Sequence, residues 1–307
     1  MNARILGFAL LMAAAAMADS GDRSAPPLYA FCVGMGVQGA PPLPLAAQAA
    51  MLRELGYDGI GWELWPASEV DANLESLDAA KLPLRMVWTT LNVNPNHPHP
   101  HRNDLPEALR KLKGRPVTVC LMLVGLPPGD PRGMAPALRM LRELGDVAAG
   151  AGLRLSIYHH AGDWTERAGF AAEVAGRADH PQVGVNFNLC HWLKHEGDQD
   201  WRPFLRKHAG RIFAVTLNGA TTTAEDWENG LVQPLDQGNF DTGELLGVLA
   251  ETGYHGSVGL MCYSIPGDPR THLSRSIRRW RELHQAPFPR PPVRPNGSLG
   301  GRPQKAD

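Results

Sequence analysis

Apolar and β-branched runs alternate with amphipathic stretches along most of the chain. The runs Tyr29–Gly34, Gly59–Leu64, Leu84–Thr90, Val117–Val124, Leu153–His159, Val183–Asn188, Ile212–Leu217 and Val258–Tyr263 read as strands. Several are continuously apolar, the pattern of a sheet covered on both faces. Between them, Ala46–Leu55, Ser68–Ala80, Leu105–Lys113, Ala135–Ala149, Asp163–Ala178, Asp200–Ala209, Thr242–Glu251 and Pro269–His284 carry helical spacing, with Ser68 as an expected N-cap. Eight strand-then-helix units in succession predict a (β/α)8 TIM barrel, a single α/β domain over residues 28–285. A doubly wound open sheet is the competing pattern, but no GxGxxG or Walker loop follows the first strand.

The two ends stand outside this alternation. Residues 1–18 carry Arg4, the unbroken apolar run Ile5–Met17 and a small-x-small ending at Ala16-Met17-Ala18. These are the parts of a secretory signal peptide cleaved before Asp19. An N-terminal membrane anchor is the alternative, though the run falls short of the ~20 residues a span needs. The expected location is therefore exported, periplasmic or secreted, with no membrane association after cleavage. Residues 19–27 read as a linker, and residues 286–307, rich in Pro, Gly and Arg, as a disordered tail.

Composition narrows the partners. The 307 residues hold 30 Lys+Arg against 31 Asp+Glu with no basic block, which argues against nucleic acid as a partner. Cys32, Cys120, Cys190 and Cys262 all fall in or at the ends of expected strands and match no disulfide framework. Small buried thiols are the default, with Cys190 and Cys262 the one pair suited to a bridge. No Gly-x-Ser-x-Gly elbow supports a serine hydrolase.

In a TIM barrel the chemistry gathers at the C-terminal ends of the strands. Those ends carry Trp62-Glu63, Tyr158-His159-His160, Asn188 followed by Cys190-His191 and Lys194, Asn218, and Tyr263. Aromatic faces beside His, Asn and Lys heads form a sugar-binding surface, with rings to stack and heads to bond hydroxyls. The expected partner is a small-molecule carbohydrate.

The segments LRELGYDGIGWE, YHHAGDW, VGVNFNLCHWLK and GYHGSVGLMCYSI resemble the xylose isomerase-like barrels known as sugar phosphate isomerases/epimerases. The resemblance spans about residues 28–284, and Phe187-Asn188-Leu189-Cys190-His191 is its more specific phrase, similar to the Phe-Asp-x-x-His shared with the AP-endonuclease branch. It implies a divalent metal held by Glu on strand 5, Asp on strand 6, His on strand 7 and Glu on strand 8. Carried over, those places fall on Tyr158, Asn188, Thr216 and Met261, so all four ligand types are missing. Neutral Asn, Tyr, Thr and Met do not supply the carboxylate and imidazole a hard divalent ion needs. No metal and no other cofactor is expected. A secreted subset of the superfamily is more similar still, with Tyr-x-His on strand 5, Asn-Leu-Cys-His on strand 6 and a Gln-Pro-Leu loop after strand 7.

His160 and His191 are then the candidate proton-transfer pair, since imidazole titrates near neutral pH. Lys194 is the candidate to hold an enediolate oxygen. Glu63 is a candidate general base or hydroxyl acceptor, the alternative being a rim carboxylate paired with an Arg. The expected sugar contacts are Tyr158, Asn188, Asn218, Trp62, Trp164 and Tyr263, with barrel–helix packing as the other reading of the tryptophans. The long connection Ala220–Phe240 reads as a lid, with Gln233 and Asp236 as further contacts, or as a structural Ω-loop. His97, His99 and His101 alternate with prolines and read as a solvated loop rather than a metal site. The expected function is an exported isomerase or epimerase, or an eliminating enzyme, acting at a carbon beside a carbonyl by histidine acid–base catalysis. The alternative is a non-catalytic sugar-binding barrel that has lost the family's metal site.

Overall fold

The computed structural model describes residues 25–37 and 43–285. The expected signal peptide at 1–18, linker residues 19–24 and the expected tail at 286–307 lie outside the described residues. Eight parallel strands close into a barrel in sequence order. They are β1 (Leu28–Phe31), β2 (Gly59–Glu63), β3 (Leu84–Asn92), β4 (Thr118–Val124), β5 (Arg154–Tyr158), β6 (Val183–Asn188), β7 (Ile212–Leu217) and β8 (Val258–Met261). β8 closes the ring by pairing with β1 from Leu28↔Val258 to Phe31↔Met261.

The helices wrap this ring. They are α1 (Leu45–Leu55), α2 (Ala67–Ala79), α3 (Leu105–Lys111), α4 (Met134–Ala151), α5 (Ala168–Ala178), α6 (Leu189–Glu196), α7 (Trp201–His208), α8 (Thr242–Glu251) and α9 (Pro269–Gln285). Spacing explains the docking: α4 buries Ala137, Met140, Leu141, Leu144, Ala148 and Ala151, one stripe at i, i+3, i+4 and i+7. Among the described residues no helix is long and apolar enough to cross a membrane.

The barrel interior makes room for large aromatics from β1. A Cβ on Gly61 would lie 2.8 Å from the Phe31 Cβ, and one on Gly259 would lie 2.7 Å from the Tyr29 ring. Only glycine lets both rings turn inward at those two points.

Several sequence expectations shift. β1 and β8 end earlier than their apolar runs, at Phe31 and Met261, because Cys32 and Ser264 turn left-handed with φ of 55° and 56°. Such φ values are unfavourable for side chains with a Cβ and cluster at functional sites. Here they flank the barrel mouth. Ser68 caps nothing: α2 starts at Ala67 after Pro66, and the Asp104 carboxylate accepts the Ala67 N–H at 2.7 Å. The helix expected over Asp163–Ala178 begins only at Ala168, since residues 161–166 form turns. The strand-6 exit contains an unexpected helix, α6, whose N-cap is Asn188, its side chain accepting the His191 N–H at 3.2 Å. All four cysteines are free, so the bridge considered between Cys190 and Cys262 is not formed.

Candidate functional site

The mouth of the barrel holds a cavity of about 290 Å3. One wall is apolar: Phe31 from β1, Met86 and Trp88 from β3, Met122 from β4 and Met261 from β8. The other is polar: Tyr158 from β5, His160 just beyond it, and His191 from the first turn of α6. Cys32, Met35, Cys190 and Tyr263 close the rim, and Trp227 and Val232 reach over from the β7–α8 connection. Among the described residues no Asp, Glu, Lys or Arg lines it.

The polar wall is tightly organised. The rings of His160 and His191 lie with centroids 4.4 Å apart. His191 is buried, and its Nδ1 accepts the Ala161 N–H at 3.2 Å. A neutral imidazole that accepts at Nδ1 carries its proton on Nε2. Burial, reinforced by the neighbouring histidines, holds the His191 pKa well below the usual imidazole range. It is therefore a neutral donor. His160 is more open, and its Nδ1 lies 3.4 Å from the Asp163 carboxylate. Neither of those two atoms has another partner among the described residues. His160 and Asp163 thus form a histidine–carboxylate pair at the edge of the cavity.

Behind this wall every polar atom of Asn188 is engaged. Its Nδ2 donates to the Tyr158 hydroxyl, and its Oδ1 accepts from the Cys190 thiol and the His191 N–H. The Asn188 N–H donates to His159 Nε2 at 3.0 Å, and burial drives the His159 pKa down to about 3. Burial raises Tyr158 well above the ordinary phenol range, so it stays protonated. The Cys32 thiol is pushed up to about 12 by burial and then by the Glu63 charge. Cys190 is likewise raised by burial.

These groups do not fit the family's hard divalent metal. Of the four strand-end positions, Tyr158 and Asn188 are bonded to each other, and Thr216 and Met261 are buried and uncharged. A site without a carboxylate, whose one amide oxygen is already occupied, lacks the donors Mn2+ or Mg2+ requires. Among the described residues no group of three His, Cys, Asp or Glu is arranged to hold a metal ion. His97, His99 and His101 line a separate open groove at the ends of β3 and β4. His97 and His101 spend Nδ1 on the backbone carbonyls of His99 and Arg102, at 2.7 and 2.8 Å.

Of the residues expected at the site, Tyr158, His160, His191 and Tyr263 meet in the cavity, with Asn188 directly behind. The others lie elsewhere. Trp164 is fully buried, donates to the Asp130 carbonyl at 2.8 Å and packs on Phe170. Glu63 is exposed and Trp62 half-buried, and neither lines the cavity. Asn218 is buried and pins the loop after β7 through the Gly219 and Leu231 carbonyls. Gln233 sits in an antiparallel bridge to Gly219, and its side chain accepts from Thr221. Asp236 is paired with Arg275 at 2.9 Å. Lys194 points outward and donates to the Glu225 carbonyl at 2.5 Å.

That last bond gives the β7–α8 connection its character. Gly219 and Gln233 exchange both backbone hydrogen bonds, so the loop is a small folded hairpin. The hairpin is tied to α6 at Glu225 by Lys194, just before the turn Trp227–Leu231, and the Trp227 and His191 ring centroids lie 5.1 Å apart. Sequence reasoning missed Asp163, Trp227 and the methionine wall as parts of the site. Asp163 had a local signal, three residues after His160 across a glycine turn. The methionines had none, because inward and outward apolar residues look alike in a strand buried on both faces.

The family model of the xylose isomerase-like TIM barrel matches residues 49–283. No curated protein matches the chain in sequence. Among solved structures, the chain is similar to the 3-keto-D-glucoside 4-epimerase YcjR from E. coli in its apo form: TM-score 0.64, 16% identity, covering 82% of this chain and 99% of that one. It is similar to an AP endonuclease of family 2 from Brucella melitensis, with TM-score 0.62, 18% identity and coverage of 81% and 96%. A D-psicose 3-epimerase from Clostridium cellulolyticum H10 crystallised with D-tagatose aligns with TM-score 0.61, 13% identity and coverage of 84% and 96%. At these identities the likeness is one of fold.

Proposed function

The chain belongs to the xylose isomerase-like TIM barrel family, and from that premise we propose that it is an exported sugar isomerase or epimerase that moves protons with histidines instead of a bound metal. The observation that carries this reading is the His160–His191 pair, 4.4 Å apart on the polar wall of the mouth cavity. The substrate is a sugar or keto-sugar, in line with the sugar epimerases that share the fold.

The division of labour follows from the two environments. His160, backed by Asp163 at 3.4 Å, removes the proton from the carbon beside the substrate carbonyl. His191, held neutral with its proton on Nε2, donates to the carbonyl oxygen as the enediolate charge develops. The protonated Tyr158 hydroxyl is a second polar contact on the same wall. His160 then protonates the neighbouring carbon, giving isomerisation, or the same carbon after the enediol turns over in the cavity, giving epimerisation; an enediol O–H returns its proton to His191, and the overall oxidation state is unchanged. Secretion rests on the sequence of residues 1–18 alone.

The second reading, a sugar-binding barrel without chemistry, is favoured by the loss of all four metal-ligand types at Tyr158, Asn188, Thr216 and Met261. Incubating the mature protein in D2O with a panel of sugars and keto-sugars separates the two. Carbon-bound deuterium that appears with the native protein and is lost in His160→Ala and His191→Ala supports the enzyme. Binding without exchange across the panel supports the non-catalytic barrel.

A further inference from the structure

The composition of the cavity walls names a substrate class within that reading, on which the following rests. We propose that the site takes an uncharged sugar ketone carrying an apolar substituent, and rejects phosphorylated and carboxylated sugars. Three observations converge.

First, the cavity is two-faced. Tyr158, His160 and His191 stand on the β5–β6 side with Met122 of β4 next to Tyr158, and Phe31, Trp88 and Met261 come from β1, β3 and β8. In a closed ring of eight, β1 lies across from β5. A free sugar is hydroxylated all round its rim. It would satisfy the polar wall and leave hydroxyls against methionine and aromatic carbon, where they lose water and gain no partner. A ligand polar on one edge and apolar on the other satisfies both walls.

Second, among the described residues no Lys or Arg lines the cavity, so no fixed positive charge meets a phosphate or carboxylate. Lys194 is committed to the Glu225 carbonyl, and Arg102 to the Leu64 and Trp65 carbonyls and the Asp104 carboxylate. His191 is held neutral by burial. A phosphate or carboxylate brought here would be desolvated without a counter-charge.

Third, the space is small. At about 290 Å3 it lies at the lower end of the range of about 300–1,000 Å3 usual for small-molecule sites. One sugar ring with a compact apolar group fills it, and a long oligosaccharide does not.

The test is calorimetric titration of the mature protein with three probes: D-glucose, phenyl β-D-glucoside and D-glucose 6-phosphate. The expected order is phenyl glucoside tighter than glucose by about 10-fold or more, the gain from burying one ring-sized apolar group, with no measurable binding of the 6-phosphate. Trp88→Ala, checked for native melting, should erase most of the phenyl advantage. A 6-phosphate that binds as well as glucose, or a phenyl group that adds nothing in the native protein, overturns the assignment. The outcome is separable from that of the catalytic reading. Phenyl preference without deuterium exchange on any ketone sinks catalysis only. Exchange on free keto-sugars without phenyl preference sinks the substrate class only.

Discussion

The imidazoles of His160 and His191 stand 4.4 Å apart, centroid to centroid, one from the turn after β5 and the other from the first turn of α6. Their environments differ. His160 faces the Asp163 carboxylate, whereas His191 is buried and accepts a backbone N–H. Asp163→Asn removes the carboxylate that faces His160 Nδ1 and keeps the side chain's size. Exchange should fall on the order of 10-fold. His160→Ala should cost about 10²-fold or more, the usual worth of a positioned general base. An Asp163→Asn protein with an unchanged exchange rate would show that the carboxylate plays no part.

The Lys194 bond to the Glu225 carbonyl ties α6 to the hairpin that carries Trp227. Lys194→Met should loosen the hairpin and weaken substrate binding about fivefold, roughly 1 kcal/mol. The turnover of bound substrate should change little. Hydrogen exchange of residues 224–232 should speed up in the variant. A large fall in turnover with unchanged binding would instead place the ammonium at the reacting oxygen.

Trp164 fills the gap between the β4–α4 loop and α5, with its indole N–H on the Asp130 carbonyl. A Cβ on Gly133 would lie 2.6 Å from the indole, so this packing depends on a glycine opposite. Trp164→Ala should cost about 3–5 kcal/mol of stability. Denaturant unfolding reads that loss, and sugar affinity measured below the transition should stay unchanged.

Stability should fall between pH 6.5 and 5. His159 and His272 are buried, with pKa values lowered by burial to about 3 and about 4. His191 is also held well below the ordinary range by burial. Below pH 6.5 the unfolded chain binds protons at these histidines and the folded chain does not, so unfolding gains as pH drops. Their contribution is complete above about 6.5 and declines toward the folded values. His159 and His272 each forfeit about 2 kcal/mol by pH 5. Melting curves at pH 7.5, 6 and 5 check this, and a melting temperature flat across that range contradicts the burial of neutral imidazoles.

The eight-unit alternation was legible because each strand is an apolar run and most helices carry a one-sided stripe. The barrel and its closure follow from that count. Boundaries failed where a backbone feature overrode the run, as at Cys32 and Ser264, whose left-handed turns end β1 and β8 early. The site was half legible. Tyr158, His160 and His191 belong to recognisable phrases at strand ends, and they do share a cavity. Spacing does not separate Lys194 from His191, since residues three apart on a helix are neighbours, and the structure commits the ammonium to the Glu225 carbonyl. Trp62 and Trp164 show that an aromatic at a strand end does not reveal which side of the barrel wall it occupies.

Proton transfer by the His160–His191 pair without a divalent metal is tested most directly by carbon-bound deuterium incorporation in D2O after exhaustive dialysis against a chelator, with metal content measured on the same sample. Exchange should be undiminished in protein containing less than about 0.05 equivalents of metal, should gain nothing on adding Mn2+, Mg2+ or Zn2+, and should be lost in His160→Ala. Exchange abolished by the chelator and restored by one equivalent of manganese or zinc would contradict it.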